Sequence, residues 1–348
     1  MSQALYTQWP ANSRRSWGIG AIVVLIAAFL VAVIPSVVIG VVLTGIEMAG
    51  GRSPEEAQQA LQSNIWGFLV PSILSQFIVW TVLIWLWARL YERRRAETYG
   101  LRISVGALFR YLIGLLLGVG LLVAIASVGT ILGGSAGDTD LEGLTSTGRL
   151  LDPTTLALLG IIIVVFLIQG GAEEIIFRGW LMSTLSARWG IKAAVIVSSL
   201  CFMIFHAHVF FSGWVFGSIV LVGLGMMGLV FALLCLVTRS IVEAIAAHGA
   251  FNAAAVTVPT AVTLVQNPDL SLSDVLGDVF TAATGTMGPG ETVIGPELFA
   301  QGATAGAIAV VLVLLVSAMR RNVLGYKQQD SVASSPESHG QDPAAEGV

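Results

Sequence analysis

The chain has 348 residues, 55% of them hydrophobic and only 11% charged, with a mean hydropathy of +0.85. This composition excludes an ordinary soluble domain, indicates a polytopic membrane protein, and gives no support to nucleic acid as a partner. The formal net charge of −4 says little alone, because the distribution of Lys and Arg between loops sets the orientation of a membrane chain.

Residues 1–16 read as a polar cytoplasmic segment ending at Arg14-Arg15. The apolar run from Trp17 to about Leu43 is too long for a signal peptide and lacks a small-residue cleavage site, so it reads as a retained first transmembrane helix. Ser53, Pro54 and Glu56 then fit the N-cap, N1 and N3 positions of a capping box, predicting a short extramembrane helix. A second span, Trp66 to Trp87, stops at Arg89, Arg93, Arg94, Arg95 and Arg102. A third runs from about Phe109 to Leu132 and carries Gly114 and Gly118 at GxxxG spacing, which lets helices approach closely but also arises by chance in an Ala/Gly-rich chain. These three helices and their loops occupy residues 17–153. The last loop holds Asp138, Asp140 and Glu142, and Asp152-Pro153 closes it as an N-cap followed by an N1 proline.

Helices four to seven fill residues 154–260. Helix four runs from Pro153 to about Ala187, helix five from Ala193 to Phe211, helix six from Trp214 to Val237, and helix seven from Ser240, where Ser240 and Glu243 fit a second capping box. Residues 261–302 read as an extracytoplasmic acidic loop, 303–319 as an eighth span, and 320–348 as a disordered cytoplasmic tail rich in Ser, Gln, Gly, Pro and Glu. The expected fold is all-α, with about eight transmembrane helices. Its basic segments, at 14–15, 89–110, 188–192, 239 and 320–327, all fall on one side, and the acidic loops fall on the other. The positive-inside rule then places both termini in the cytoplasm of a protein of the cell membrane. Trp17, Trp85, Trp87, Trp189 and Trp214 lie near span ends, as an interfacial aromatic belt requires.

Few ionisable groups remain within the spans: Glu173, Glu174, Arg178, His206, His208 and His248, with Asn252 as a polar companion. Intramembrane charge costs roughly 2.5 to 3.5 kcal/mol on insertion scales, so these groups need partners or a purpose. Residues four apart share a helix face, which pairs Glu174 with Arg178, Phe202 with His206, and His248 with Asn252. At 1.5 Å per residue, Glu173 and His206 both sit roughly 20 Å from the basic flank, and His248 roughly 14 Å. An intramembrane polar site between helices four, five and seven follows. His208, about 200° around the helix from His206, faces elsewhere. Cys201 and Cys235 lie in apolar runs and read as packing residues.

The roles follow from the chemistry of each group. Arg178 neutralises Glu174, leaving Glu173 as the carboxylate free to take a proton from water. His206 holds that water, and His248 with Asn252 donates to an oxyanion. In an alternative arrangement Glu173, His206 and His248 hold zinc with a water in the fourth position, although the compact HExxH signature is missing. Intramembrane Glu, Arg and His can also form a purely structural lock or line a transport path; the chain shows no internal repeat of the kind transporters use.

At these residues the sequence resembles the CPBP family of membrane proteases, also called Abi, which includes CAAX prenyl endopeptidases and bacteriocin-processing or self-immunity proteins. Its motifs EExxxR, FxxxH and HxxxN/D are matched by Glu173-Glu174 with Arg178, Phe202 with His206, and His248 with Asn252. The resemblance covers about residues 160–260. It implies an all-helical intramembrane endopeptidase that cleaves a membrane-associated peptide or protein, with a site that opens toward the cytoplasm. It also implies Glu173 as water activator, His206 as its partner, and His248 with Asn252 on the oxyanion side. The metal requirement stays open, as does the non-catalytic alternative of a membrane interaction or self-immunity protein.

Overall fold

The computed structural model describes residues 5–133, 148, 150–267, 269–284, 306–308 and 310–317. The described residues contain helices and no strand. The α-helices are α1 (Gly18–Ala49), α2 (Pro54–Ser63), α3 (Val70–Leu86), α4 (Val105–Gly133), α5 (Pro153–Glu174), α6 (Met182–Phe205), α7 (Trp214–Thr238), α8 (Val242–Gln266) and α9 (Leu272–Thr284).

Six stretches among the described residues are long and apolar enough to cross a bilayer: Gly18–Ala49, Ile65–Tyr91, Val105–Val128, Pro153–Phe205, Trp214–Thr238 and Val242–Gln266. The chain is an integral membrane protein. The 53-residue stretch Pro153–Phe205 is broken at Gly190, whose φ of 81° favours glycine, so it contains predicted helices four and five in succession. A shorter apolar helix, Gly306–Ser317, lies within the predicted eighth span. The tail 320–348 and the loop residues Asp138, Asp140 and Glu142 lie outside the described residues, and α9 stands within the segment read as an acidic loop.

Local chemistry explains where helices start. Ser53 Oγ accepts from the Glu56 amide and Glu56 Oε2 accepts from the Ser53 amide, completing the first capping box. The Asp152 carboxylate accepts from the Thr155 amide ahead of Pro153. The second expected box does not form. Helix α8 begins at Val242, its amide donating to Ser240 Oγ at 3.0 Å, and the Glu243 carboxylate instead pairs with Arg110 of α4. A buried carboxylate gains more from a guanidinium within reach than from its own helix's amides.

Close packing between helices rests on glycine. A Cβ at Gly114 would stand 2.6 Å from the Glu243 carbonyl oxygen, and one at Gly118 2.2 Å from that of Ala247, so the GxxxG pair seats α4 directly on the backbone of α8. On the other side of α8, Gly170 of α5 meets Gly249: a Cβ at Gly170 would lie 2.7 Å from the Gly249 amide nitrogen. Helix α8 is thus held between two neighbours at backbone distance.

The basic segments gather at one end of the bundle. The Arg14 amide donates to the Glu92 carbonyl, and Arg188 donates to the carbonyls of Ser16 and Arg15. The Ile241 amide donates to Gly100, and Arg110 to Thr238. The N-terminal segment is no loose polar tail: Leu5 is buried, and Tyr6 Oη donates to the Arg178 carbonyl at 3.0 Å. Beside it a fully buried Arg94 spends its donors on Glu92, Thr98, Ser183 and Thr184, with its guanidinium 3.8 Å from the centre of the Trp9 ring.

Candidate active site

The motif helices meet through an aromatic floor. Trp80, Phe177 and Phe202 pack edge to face, with ring centroids 5.6 Å and 5.4 Å apart, in a geometry aromatic quadrupoles favour. Helix α5 ends at Glu174, and the chain continues as a π-helical segment, Ile175–Leu181, before α6. Such wide turns are rare and occur often at functional sites.

Arg178 lies within this segment and is fully buried. Its Nη1 donates to Glu174 Oε1 at 2.8 Å, its Nη2 donates to the Gly228 carbonyl of α7 at 3.0 Å, and its guanidinium sits 4.4 Å from the centre of the Phe202 ring. The predicted Glu174–Arg178 pair is therefore present, and it joins α5, the π segment and α7. Glu174 has a second partner that the sequence reading did not assign: His248 Nδ1 stands 2.8 Å from the same Oε1. Phe231 of α7 stacks on the His248 ring at 4.5 Å and 19°.

Glu173 is 3% exposed and faces both histidines. His248 Nε2 is 3.4 Å from its Oε2, and His206 Nε2 is 3.8 Å from its Oε1. Both imidazoles are tied at the other nitrogen, His248 to Glu174 and His206 to the Phe202 carbonyl at 2.8 Å. With each Nδ1 at an acceptor, each ring turns its Nε2 toward Glu173. Oε2 of Glu173 is buried and makes no hydrogen bond among the described residues.

His206 is not mid-helix. Helix α6 stops at Phe205, His206 is its C-cap with φ −101° and ψ 13°, and a 3-10 turn, Ala207–Ser212, follows. His208 lies on that turn, exposed, its ring centroid 5.9 Å from that of His206. Asn252 is one turn beyond His248 on α8, and its Nδ2 donates to Gln169 Oε1 at 2.8 Å. Gln169 also lies within hydrogen-bonding reach of Glu173. The sequence reading missed Gln169, although its place four residues before Glu173 on the same helix face was the available signal. It also missed the Gly170–Gly249 contact that brings Gln169 to Asn252. Cys201 and Cys235 are buried and form no disulfide.

The chemistry of the donor set suits zinc, since ligating histidines usually give their other nitrogen to a carboxylate or a carbonyl. Among the described residues no group of three His, Cys, Asp or Glu side chains is drawn together as a metal site.

Comparison with known proteins identifies this region. No curated protein sequence and no solved structure matches the chain. Residues 155–254, which carry Gln169 and all seven motif residues, match the family model described as type II CAAX prenyl endopeptidase Rce1-like. The helices that build the glutamate–histidine cluster thus lie within the segment that is similar to Rce1-like endopeptidases.

Proposed function

We propose that the protein hydrolyses a peptide bond of a membrane-associated peptide or protein, with Glu173 as the general base. The observation that carries this reading is the convergence of two Nε2 atoms on a buried carboxylate, at 3.4 Å and 3.8 Å, with both Nδ1 atoms already bonded elsewhere. Such an arrangement spends fixed protein dipoles on one reacting point and needs little reorganisation when charge develops.

A water between Glu173 and His206 gives one proton to the Glu173 carboxylate and points the other at the His206 Nε2 lone pair. Its oxygen attacks the substrate carbonyl carbon, and the carbonyl π pair moves to oxygen. The Asn252 amide, oriented by Gln169, is the donor nearest to hand for that oxyanion. Collapse re-forms the carbonyl and breaks the C–N bond, and Glu173 returns its proton to the departing amine. Glu174 orients His248 through its Nδ1, and Arg178 holds Glu174 in place. His248 thereby acts on the carboxylate side, and Asn252 alone takes the oxyanion side that the sequence reading had assigned to the two together. Every step is assigned to the chain's own side chains; Glu173, His206 and His248 are the residues that would hold a metal.

The positive-inside distribution supports a cell-membrane orientation with the basic end of the bundle, and the N-terminal segment packed there, in the cytoplasm. The test is cleavage by purified protein: Glu173→Gln keeps the side chain's size and removes its basicity. Loss of cleavage in a folded variant supports the reading, and full activity would sink it.

A further inference from the structure

The π-helical segment that carries Arg178 is held from outside its own helix. Three consecutive carbonyls within it each accept from a side-chain hydroxyl: Tyr6 Oη donates to Arg178, Ser183 Oγ to Gly179, and Thr184 Oγ1 to Trp180. Ser183 and Thr184 stand one turn further along the chain. Both hydroxyls in turn accept from the fully buried Arg94, at 2.6 Å and 2.9 Å. Tyr6 comes from 172 residues away. Wide π turns are rare, so a segment of seven such residues gains from support that its own helix does not supply.

Two aromatic residues of the N-terminal segment reach this segment by different routes. Tyr6 does so directly. Its ring lies against Gly100, where a Cβ would stand 2.8 Å from the ring, and its hydroxyl is within hydrogen-bonding reach of the Cys235 thiol of α7. Trp9 does so through Arg94, whose guanidinium lies 3.8 Å from the centre of the Trp9 ring and 4.5 Å from that of Tyr99. From Arg178 the path to the reacting groups is short. Its Nη1 donates to Glu174 Oε1 at 2.8 Å, and His248 Nδ1 stands 2.8 Å from the same oxygen. A displacement of the Arg178 backbone is therefore felt at His248, whose Nε2 faces Glu173.

We propose that Tyr6 is a positioning residue of the glutamate–histidine site. Together with Trp9 it makes the N-terminal segment a strut that holds the π-helical segment in the geometry on which the shared contact of Arg178 and His248 with Glu174 depends. Neither residue touches the reacting atoms, and both lie outside residues 155–254, the segment similar to Rce1-like endopeptidases. The site is thus completed by a part of the chain that precedes the first transmembrane helix. What the positioning serves rests on the hydrolase reading; the placement of His248 does not.

Full-length Tyr6→Phe keeps the ring and removes the hydroxyl. Wild type and variant, isotope-labelled at histidine, are purified in detergent, and the ring nitrogens of His248 are followed by NMR, assigned by their absence in His248→Gln. The expected result is a folded Tyr6→Phe whose His248 resonances shift while those of His208, on the turn after α6, stay in place. In cleavage of a peptide that the wild type cuts, kcat falls about tenfold with KM unchanged, as a misplacement of less than about 1 Å implies. Ser53→Ala, which removes the cap of α2 and touches none of these contacts, should lower the melting temperature and leave both readouts as in the wild type. Unmoved His248 resonances overturn the proposal whatever the melting temperature, and so does a wild-type kcat in the variant. If the wild type itself cleaves no peptide, the hydrolase reading is what fails, and the resonances alone decide the placement. Should Tyr6→Phe not accumulate, Trp9→Leu, which strips the ring from Arg94, is read in the same way.

Discussion

Replacement of Gly170 by alanine probes the link between helix packing and site geometry. A Cβ there would stand 2.7 Å from the Gly249 nitrogen and 2.8 Å from its Cα, whereas ordinary contact begins near 3.4 Å. Helices α5 and α8 must therefore part by at least about 0.7 Å, at an overpacking cost of about 1–3 kcal/mol. The same displacement carries Asn252–Gln169 from 2.8 Å to about 3.5 Å, beyond a useful hydrogen bond. It also carries His248 Nε2 further from Glu173 than its present 3.4 Å. Misplacement of about 1 Å costs on the order of 10²-fold in a positioned reaction. Gly170→Ala should retain a folded bundle and lose cleavage by about 10- to 100-fold. The control is Gly160→Ala on the same helix, where a Cβ meets nothing within 4 Å. It should be neutral or slightly stabilising, by up to about 1 kcal/mol of helix propensity. The assay is the rate of appearance of a cleaved peptide by mass spectrometry, alongside a thermal melt in detergent. Full activity in Gly170→Ala would show that the close approach of α5 and α8 is not what sets the site.

Other perturbations follow from named contacts. Arg178→Ala leaves Glu174 buried beside His248 without its cation and should cost about 3–5 kcal/mol, read as a lower melting temperature and folded yield; Arg178→Lys should rescue poorly, because one ammonium cannot serve Glu174 and the Gly228 carbonyl with the same fork. Gln169→Ala and Asn252→Ala should each slow cleavage, and the double variant should be no slower than the worse single one, since both break one hydrogen bond. Arg110→Ala removes the partner of Glu243 and loosens α4 from α8, a smaller thermal loss of about 1 kcal/mol because the arginine is partly exposed. With Glu173 alone activating the water, exhaustive chelation should leave the cleavage rate unchanged, and a loss that zinc restores would place Glu173, His206 and His248 on a metal instead.

The sequence made much of this visible because transmembrane helices are written in long apolar runs and because charge inside such runs is costly enough to stand out. Glu173, Glu174, Arg178, His206 and His248 were conspicuous for that reason. What stayed hidden depended on three dimensions. The spacing of His248 and Asn252 on one helix face suggested a joint role, but their true partners, Glu174 and Gln169, lie on α5 and are fixed by how closely that helix approaches. The approach depends on Gly170 and Gly249, and glycines are too common in this chain to single out. Ser240 and Glu243 had cap spacing, and only the position of α4 brought Arg110 to compete. The depth estimate for His206 held no hint that α6 ends there, and nothing local in Tyr6 announces that it reaches Arg178, 172 residues away. Arg14, Arg94 and Arg188, legible as a basic flank, tie the N-terminal segment, the turn after α3 and the first part of α6 together.

The central claim is that Glu173 activates water for peptide hydrolysis. The most direct measurement compares membrane peptides from cells making the wild type with those from cells making equal amounts of folded Glu173→Gln, followed by cleavage of the identified substrate with purified protein. The account predicts cleavage products that vanish in the variant, with a rate loss of at least about 10²-fold in the purified reaction. Identical peptide profiles, or a variant that cleaves at the wild-type rate, would contradict it.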